Sequence, residues 1–342
     1  MRELNILITS IGRRIHLQSS IKNALLQTKQ PGKIIVIDSS WSAPGLKYSD
    51  RGYVVPKSLN ANYTNALLSI IEKEEISHII PTSDLDLFVL TRDRNVIEEQ
   101  NAILLAPSNK MVRKLSDKID TEIFFKSLGL QTPKVFLDKN SVSDYDYPVV
   151  VKERGRNAVT TKGFRKVANE ESISVHLNQI EEPIIQQFIG GTEFTIDALS
   201  DLRGNPLAIV PRERISIRQH VSDKGVTVQD PLILEESFKI LSEIKAKGFC
   251  NLQCIKKDNT NYWIEVNPRT SGGFPLFLAA CQKVPFLFIE VLLCNNVDTI
   301  IGDYEVDCFM AKYDEVLISN SDKKIKIVSG FKNPFEIEYH IV

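Results

Sequence analysis

The first hundred residues alternate short apolar runs with segments of helical periodicity. Four apolar residues recur on one predicted helix face, namely Leu17, Ile21, Ala24 and Leu25. Lys33–Asp38 contains a continuous apolar run, a pattern typical of a strand buried on both faces. This alternation predicts a parallel sheet with crossover helices, a Rossmann-like α/β lobe over residues 1–108. Its predicted elements are Leu4–Thr9, Ile15–Leu26, Lys33–Asp38, Tyr63–Glu72 and His78–Pro81.

Strands become more frequent after residue 108, which predicts an α+β region. A helix capped near Asp117 is expected to end at Gly129. The other predicted elements are the strands Lys134–Leu137, Val149–Lys152 and Pro206–Pro211, a strand from Ile184, a turn at Asp201–Asn205, and a helix over Pro231–Lys247 ending at Gly248. Domain boundaries are predicted at 1–108, 109–183 and 184–342, with neither an internal repeat nor a low-complexity linker.

Composition narrows the class of protein. The 342 residues include 42 Lys and Arg against 43 Asp and Glu, with no basic stretch interleaved with aromatics, so neither nucleic acid nor a membrane is the expected partner. The polar N-terminus predicts a cytoplasmic protein. Five cysteines lie among apolar residues without CxxC spacing, which favours buried thiols over metal ligands. Val284–Leu293, the most apolar stretch, is shorter than the roughly 18 residues of a membrane span and is predicted to be a core helix.

Two strands near residue 260 carry the most informative polar pattern. Phe249–Lys256 and Tyr262–Val266 are predicted to form a hairpin around a five-residue turn. Such a turn places Gln253 opposite Glu265, and the strand period of two puts Asn267 on the same face. One carboxylate and two amide oxygens suit Mg²⁺ shared with phosphate oxygens. An amphipathic hairpin with a solvated polar face is the alternative when the hairpin is taken alone.

The run Glu265-Val-Asn267-Pro-Arg269, with Gln253 across the turn, resembles the ATP-grasp superfamily, in particular one synthetase unit of the carbamoyl-phosphate synthetase large subunit. The resemblance covers nearly the whole chain. It implies an ATP-grasp fold with a pre-ATP-grasp lobe, followed by a small and a large subdomain. It also implies that Gln253, Glu265 and Asn267 bind Mg²⁺, or Mn²⁺ in its place. Arg269 would act as a catalytic residue on the triphosphate, with its bidentate fork on phosphate.

Other segments resemble the nucleotide-binding parts of the superfamily. The resemblance implies that Lys118, after Ser116 and Asp117, and Lys152, at the end of a strand, approach the phosphates of ATP. It implies that Gln186 and the backbone of Phe188 contact adenine. Glu193, seven residues after Gln186, would bind the ribose hydroxyls.

The loop expected to cover the phosphates departs from the pattern of the superfamily. Such a loop is usually rich in glycine, because backbone N–H groups must approach the phosphates closely. Over 153–163 the chain keeps only Gly155 and Gly163 for this role. Side chains, namely Arg154, Arg156 or Lys162, would then supply charge in place of amides.

The resemblance implies an ATP-dependent ligase that joins a small carboxylate, for example an amino acid, to an amine or thiol. The carboxylate would be activated as an acyl phosphate, with release of ADP and phosphate. Since the chain is about as long as one synthetase unit, carbamoyl phosphate is not the expected product. A homodimer is expected from the habit of the family. A phosphotransferase and a catalytically weak ATP-binding partner module stay open as alternatives.

Three further residues are candidates for contacts with the phosphates and the acceptor, namely Arg212, Arg214 and His220. A solvated edge strand is the alternative for the arginines, and an ordinary surface histidine for His220. In the first lobe the turn Thr9–Arg14 lacks GxGxxG spacing, which disfavours a dinucleotide-dependent oxidoreductase and favours a structural turn. Asp84 follows a predicted strand and is either a ligand contact or a helix cap.

Overall fold

The computed structural model describes residues 3–136, 138–155, 164–218, 221–314, 316–319 and 325–328. Met1–Met310 form one compact unit and Ala311–Val342 a second one. Seventeen strands and ten α-helices are numbered below in chain order as they occur within these described ranges. The predicted boundaries between three domains stay a prediction.

The N-terminal part contains a parallel sheet, as the alternating pattern predicted. Its strands lie in the order β3-β2-β1-β4-β5. They are β1 Ile6–Ile8, β2 Ile34–Asp38, β3 Arg51–Val54, β4 His78–Ile80 and β5 Ile103–Leu104. The helices between them are α1 Ile15–Gln27, α2 Tyr63–Lys73, α3 Asp84–Arg92 and α4 Arg94–Glu98. The side chain of Ser83, not that of Asp84, caps α3 by accepting from the backbone N–H of Asp86, so the predicted cap was misplaced by one residue.

A smaller antiparallel sheet follows, in the order β6-β9-β7-β8. Its strands are β6 Val135–Phe136, β7 Val149–Glu153, β8 Phe164–Val167 and β9 Pro183–Gln187; its neighbouring helices are α5 Asn109–Ser116, α6 Lys118–Ser127 and α7 Glu170–Leu177. Lys152 pairs with Ile184 and Val150 with Gln186, so these four side chains lie on one face. The opposite face packs against α7 in a small core of its own.

The large sheet has the order β14-β13-β10-β11-β12-β15. Its strands are β10 Thr192–Ser200, β11 Pro206–Arg218, β12 Val221–Thr227, β13 Gly248–Lys257, β14 Thr260–Asn267 and β15 Phe309–Ala311; the helices of this region are α8 Pro231–Ile244, α9 Phe274–Ala280 and α10 Val284–Leu292. In the second compact unit, β16 Val316–Ser319 pairs antiparallel with β17 Ile325–Val328.

Two predicted elements differ from the structure in length. The helix predicted to reach Lys247 ends at Ile244, because Lys245 adopts a left-handed conformation with φ 50°. Gly248 then begins β13. The strand predicted to end at Pro211 continues to Arg218 and lies between two others, so the edge-strand alternative for Arg212 and Arg214 is wrong.

The first lobe and the large sheet share one hydrophobic core. Side chains of β1, β2 and α1 meet side chains of β11, β13, α9 and α10 in a single buried cluster. Phe288 of α10 packs its ring 4.6 Å from that of Phe249 on β13. Among the described residues no single helix is long and apolar enough to cross a membrane, and α9 with α10 meets the length and composition test only as a pair bent by 99°.

Candidate functional site

A cleft lies between the large sheet, the start of α6 and the end of β7. Its lining includes both lysines that the sequence singled out and two of the three predicted metal-binding residues, namely Lys118, Lys152, Glu265 and Asn267. Asp84, the first residue of α3, reaches the same cleft from the first sheet. The cleft therefore brings together residues that are up to 183 positions apart in the chain.

The β13–β14 hairpin places the predicted metal-binding residues in neighbouring positions. Gln253 is the direct partner of Glu265, as predicted, and Asn251 is the direct partner of Asn267. Glu265 is exposed to the cleft, whereas Asn267 is buried and its Nδ2 donates to Asn251 Oδ1 over 3.4 Å. Within the described residues no group of three His, Cys, Asp or Glu side chains could hold a metal ion. A metal at the hairpin would therefore depend on one carboxylate and on amide oxygens.

The turn of this hairpin is shorter than predicted. It consists of Asp258 and Asn259, both with positive φ, at 46° and 64°. Such a two-residue turn alone would shift the pairing by one position relative to the predicted five-residue turn. A β-bulge between Gln253 and Cys254 restores the register. The predicted turn is thus wrong, while the pairing that was deduced from it is confirmed.

The position of Lys118 depends on hydrogen bonds to the Arg154 carbonyl and on the space left by Gly155. It opens α6, whose N-cap Asp117 accepts from the N–H groups of the first turn. Its N–H and its Nζ both donate to the carbonyl of Arg154, over 3.2 and 3.4 Å. A Cβ on Gly155, which has φ +83°, would lie 2.7 Å from Lys118 Nζ. Gly155 therefore makes room for the lysine.

The electrostatics of the cleft disfavour two ammonium groups in the absence of an anion. Burial and the nearby charge of Lys118 together lower the pKa of Lys152 to about 8, while Glu265 opposes the shift. Burial also lowers the pKa of Lys118, against the attraction of Glu265 and Glu153. Both lysines are thus poised to gain from a bound anion.

Arg269 was expected to bind phosphate, but in this structure it binds a carboxylate of the chain. Its Nε and Nη2 donate to the two carboxylate oxygens of Asp84, both over 2.7 Å. Nη2 also donates to Asn267 Oδ1 over 3.2 Å. Burial works against the charge of Arg269, but the Asp84 carboxylate outweighs burial and raises its pKa. No local sequence pattern indicates this pair, because its members are separated by 185 residues.

The two other arginines of the site lie on β11. Arg214 Nη1 donates to Glu193, on the neighbouring strand, and to Gln253 Oε1 over 3.4 Å. Arg212 is completely buried, and its guanidinium donates to three side chains, namely Asp197, Ser222 and Ser271, over 2.9, 2.9 and 3.1 Å. Asp197 and Ser271 were not predicted as site residues. Arg212 thus anchors the sheet, while Arg214 links Glu193 to a predicted metal-binding residue.

Comparison with known proteins finds two family models that match parts of the chain. The family model described as "PylC-like, N-terminal domain" matches residues 6–105, and the one described as "ATP-grasp in the biosynthetic pathway with Ter operon" matches residues 179–310. Residues 179–310 thus match an ATP-grasp family, and the chain has the ATP-grasp fold that was predicted. These matches support an ATP-dependent ligase.

The relatives and structural neighbours of this ATP-grasp chain are ligases and carboxylases. A carbamoyl-phosphate synthase of Methanobrevibacter smithii is 22% identical over 80% of the chain and 75% of its own length. The carbamoyl phosphate synthase large chain of Clostridium beijerinckii is 25% identical over 65% of the chain, which spans only 22% of that protein.

Two solved structures show the same fold. The biotin carboxylase domain of Hydrogenobacter thermophilus 2-oxoglutarate carboxylase matches with a TM-score of 0.71 and 16% identity, over 90% of the chain and 74% of its own. The N5-carboxyaminoimidazole synthetase of Staphylococcus aureus matches with a TM-score of 0.67 and 15% identity, over 89% of the chain and 80% of its own.

The predicted adenine-binding segment of this ATP-grasp protein lies at the end of β9. Gln186 is buried and its Nε2 donates to the Pro133 carbonyl over 3.2 Å. The ring of Phe188 lies 3.9 Å from Lys166 Nζ. Gln186 faces the same way as Lys152, toward the cleft side of the small sheet. Its roles, and those of Phe188 and Glu193, stay predictions; His220 and Gly163 lie outside the described residues.

The turn Thr9–Arg14 of the first lobe is occupied by a side chain of the protein. Gly12 N–H donates to Asp38 Oδ2 over 2.8 Å, so an acid of the chain takes the place that an anion would need. Asp86 is completely buried and accepts from Thr9 and Ser58 over 2.6 and 2.5 Å. These bonds favour the structural interpretation of the turn.

Proposed function

We propose that the chain is a carboxylate–amine ligase that works through an acyl phosphate and releases ADP and phosphate. The observation that carries this proposal is the meeting of Lys118 and Lys152 with Glu265 and Asn267 in one cleft. Two half-buried ammonium groups repel each other, so the cleft favours a ligand of high negative charge. A triphosphate with a divalent cation satisfies both the lysines and the oxygen donors of the hairpin. MgADP bound to the Hydrogenobacter protein supports this choice.

The hairpin side chains fit Mg²⁺ by their chemistry. Glu265 offers a carboxylate, and Gln253 and Asn267 offer amide oxygens from adjacent positions of two paired strands. Oxygen donors suit a hard cation, and Mg²⁺ keeps several ligand positions for water and phosphate, so few protein donors suffice. The ion, when bound, would neutralise the triphosphate. Mn²⁺ would fit the same donors.

The remaining roles follow from where each side chain lies. Lys118 and Lys152 would hold phosphate oxygens while charge spreads over them during transfer to the carboxylate. The amide of Gln186 is oriented by the Pro133 carbonyl, which leaves its Oε1 to accept from the amino group of adenine. Glu193, which accepts a hydrogen bond from Arg214, would bind the ribose hydroxyls. The site has to position the reactants and exclude water, and requires no nucleophile of its own.

ADP release tests this function. Purified protein is mixed with magnesium-ATP, panels of small carboxylic acids and amino acids, and hydroxylamine as the amine, and ADP and hydroxamate are measured. We expect ADP only when an acid is present, in equal amounts with hydroxamate. Release of AMP, or an absence of ADP with every acid, would contradict the proposal.

Glu265→Ala links this activity to the hairpin. We expect ADP release to fall by at least about a hundredfold, because the hairpin loses its only carboxylate donor for the divalent cation. The melting temperature should stay close to that of the wild type, since Glu265 is exposed and its truncation opens no cavity. Glu235→Ala, at an exposed position of α8, is the matched control and should keep full activity.

A further inference from the structure

A charged cluster that includes Asp84, Arg14 and Arg269 lies where the first lobe meets the end of β14. Asp84 and Arg269 form its ion pair, and Asp84 also lines the cleft beside Lys152 and Glu265. Arg14, at the start of α1, is close enough for the charge of Arg269 to lower its pKa, after burial, while the surrounding acids oppose this. Of Asp84, Arg14 and Arg269, only Arg269 belongs to the predicted nucleotide site.

Asp84 is the more exposed partner of this ion pair and is therefore the one that a ligand can displace. The side chain of Asp84 is 40% exposed and that of Arg269 only 18%. Asp86, two residues on, is instead held by Thr9 and Ser58 and is completely buried. The other edge of the guanidinium donates to the Thr270 carbonyl and to Asn267 Oδ1, both over 3.2 Å, so a ligand carboxylate that takes the fork of Arg269 must displace Asp84.

Arg14 adds donors to the same place. Its guanidinium has five N–H groups, of which Nη1 donates to the Ser10 carbonyl over 3.2 Å. In the described part of the chain it forms no ion pair. Its remaining donors are therefore available to an anion that reaches Arg269.

The charge balance of this exchange selects the ligand. If a plain monocarboxylate took the fork of Arg269, Asp84 would be left partly buried without its partner, which is costly. A zwitterion replaces the internal pair with two new ones, since its carboxylate meets Arg269 and its ammonium meets Asp84. Asp84 and Arg269 then each keep a partner of opposite charge.

We propose that the carboxylate substrate is an amino acid, and that Asp84 selects it by binding its ammonium group. This inference rests on the proposed ligase function and adds the class of the acid. Asp84 would keep that ammonium protonated, so the amino group of the activated molecule cannot act as the attacking amine. The carboxylate oxygens keep lone pairs beyond the fork of Arg269, and one of them attacks the γ-phosphorus of ATP as the bond to ADP breaks.

The test compares each amino acid with the same acid lacking its amino group. ADP release is measured with glycine against acetate, alanine against propionate, glutamate against glutarate and phenylalanine against 3-phenylpropionate, with hydroxylamine as the amine. For the pair that the enzyme uses best, we expect kcat/KM of the amino acid to be higher by roughly tenfold or more. In Asp84→Asn this ratio should fall to within about threefold, with the KM for ATP unchanged.

Asp303→Asn is the matched control, because Asp303 forms an exposed ion pair with Lys283, over 2.5 Å, away from the cleft residues. It should leave the ratio as in the wild type, and Asp84→Glu should keep part of the preference. A wild type that uses the deaminated acids equally well overturns the assignment of Asp84 even if no variant folds. An unchanged ratio in a folded Asp84→Asn does the same. Both leave the ligase function standing, whereas an absence of ADP with every acid overturns the ligase function and this inference with it.

Discussion

The surroundings of Lys152 shift the pKa of its ammonium group before any ligand binds. The pKa of its ammonium group is lowered to about 8 by burial and by Lys118, and Glu265 only partly offsets this. A phosphate in the cleft would reverse both effects and raise the pKa. Binding of ATP should therefore be linked to proton uptake at mildly alkaline pH.

The affinity for ATP should decline above pH 8. Below that pH Lys152 is already charged in the free protein, so binding takes up no proton there. As pH rises through 8 the free lysine loses its proton, and affinity should fall by up to about tenfold per pH unit until the raised pKa of the bound state is reached. Titration calorimetry with magnesium-ATP between pH 7 and 9.5 measures this slope.

Lys152→Arg is the control for this decline, because a guanidinium stays charged throughout the range. We expect a shallower slope in this variant, with only Lys118 contributing. An equally steep decline in the variant would show that another group is responsible.

Residues of the hairpin could be predicted from the sequence, whereas their partners from other lobes could not. Gln253 and Glu265 lie on paired strands twelve positions apart, so a hairpin between them could be predicted, although its turn was wrong. Asp84 meets Arg269 only after two lobes have packed, and no local pattern encodes that contact. Arg212 was taken for a residue in contact with ligand, and the structure buries it against Asp197 instead.

At the scale of elements, the β13–β14 hairpin reaches its register through two irregularities. The two-residue turn has both residues in the left-handed region, a conformation typical of type I′ turns. The bulge adds one residue on β14 and turns Glu265 back to the face that it shares with Gln253. Turn length can be misjudged from sequence because Asp and Asn are common in turns of many lengths. The bulge leaves no sequence signal.

Asn259 is the residue through which the turn can be tested. Asn259→Ala should lower the free energy of unfolding by about 1 kcal/mol, because a Cβ without a compensating polar group disfavours φ 64°. Asn259→Gly should leave stability equal or slightly higher, since glycine is preferred in such turns. Chemical denaturation of the two variants measures the difference. Equal losses in both would indicate that the side chain of Asn259, and not its backbone conformation, holds the turn.

At the scale of the molecule, the apolar pattern predicted the class of the fold more securely than the way its parts join. The parallel sheet of the first lobe and the helix after Asp117 follow from periodicity and capping. The shared core does not, because α9 and α10 come almost 250 residues after the helix α1 that they cover. Packing of this kind ties the first lobe to the large sheet and holds Asp84 beside Arg269.

Phe288→Ala should therefore destabilise the first lobe and the large sheet together. The side chain is completely buried and packs against Phe249, and its truncation should cost about 3–5 kcal/mol. Hydrogen exchange should show the same loss of protection in β1 of the first sheet and in β13 of the large sheet, since both line one core. Phe238→Ala, at a position 48% exposed on α8, should change neither strand. Loss confined to one of the two strands would mean that the lobes unfold independently, and the contact of Asp84 with Arg269 would then have to form between separately stable parts.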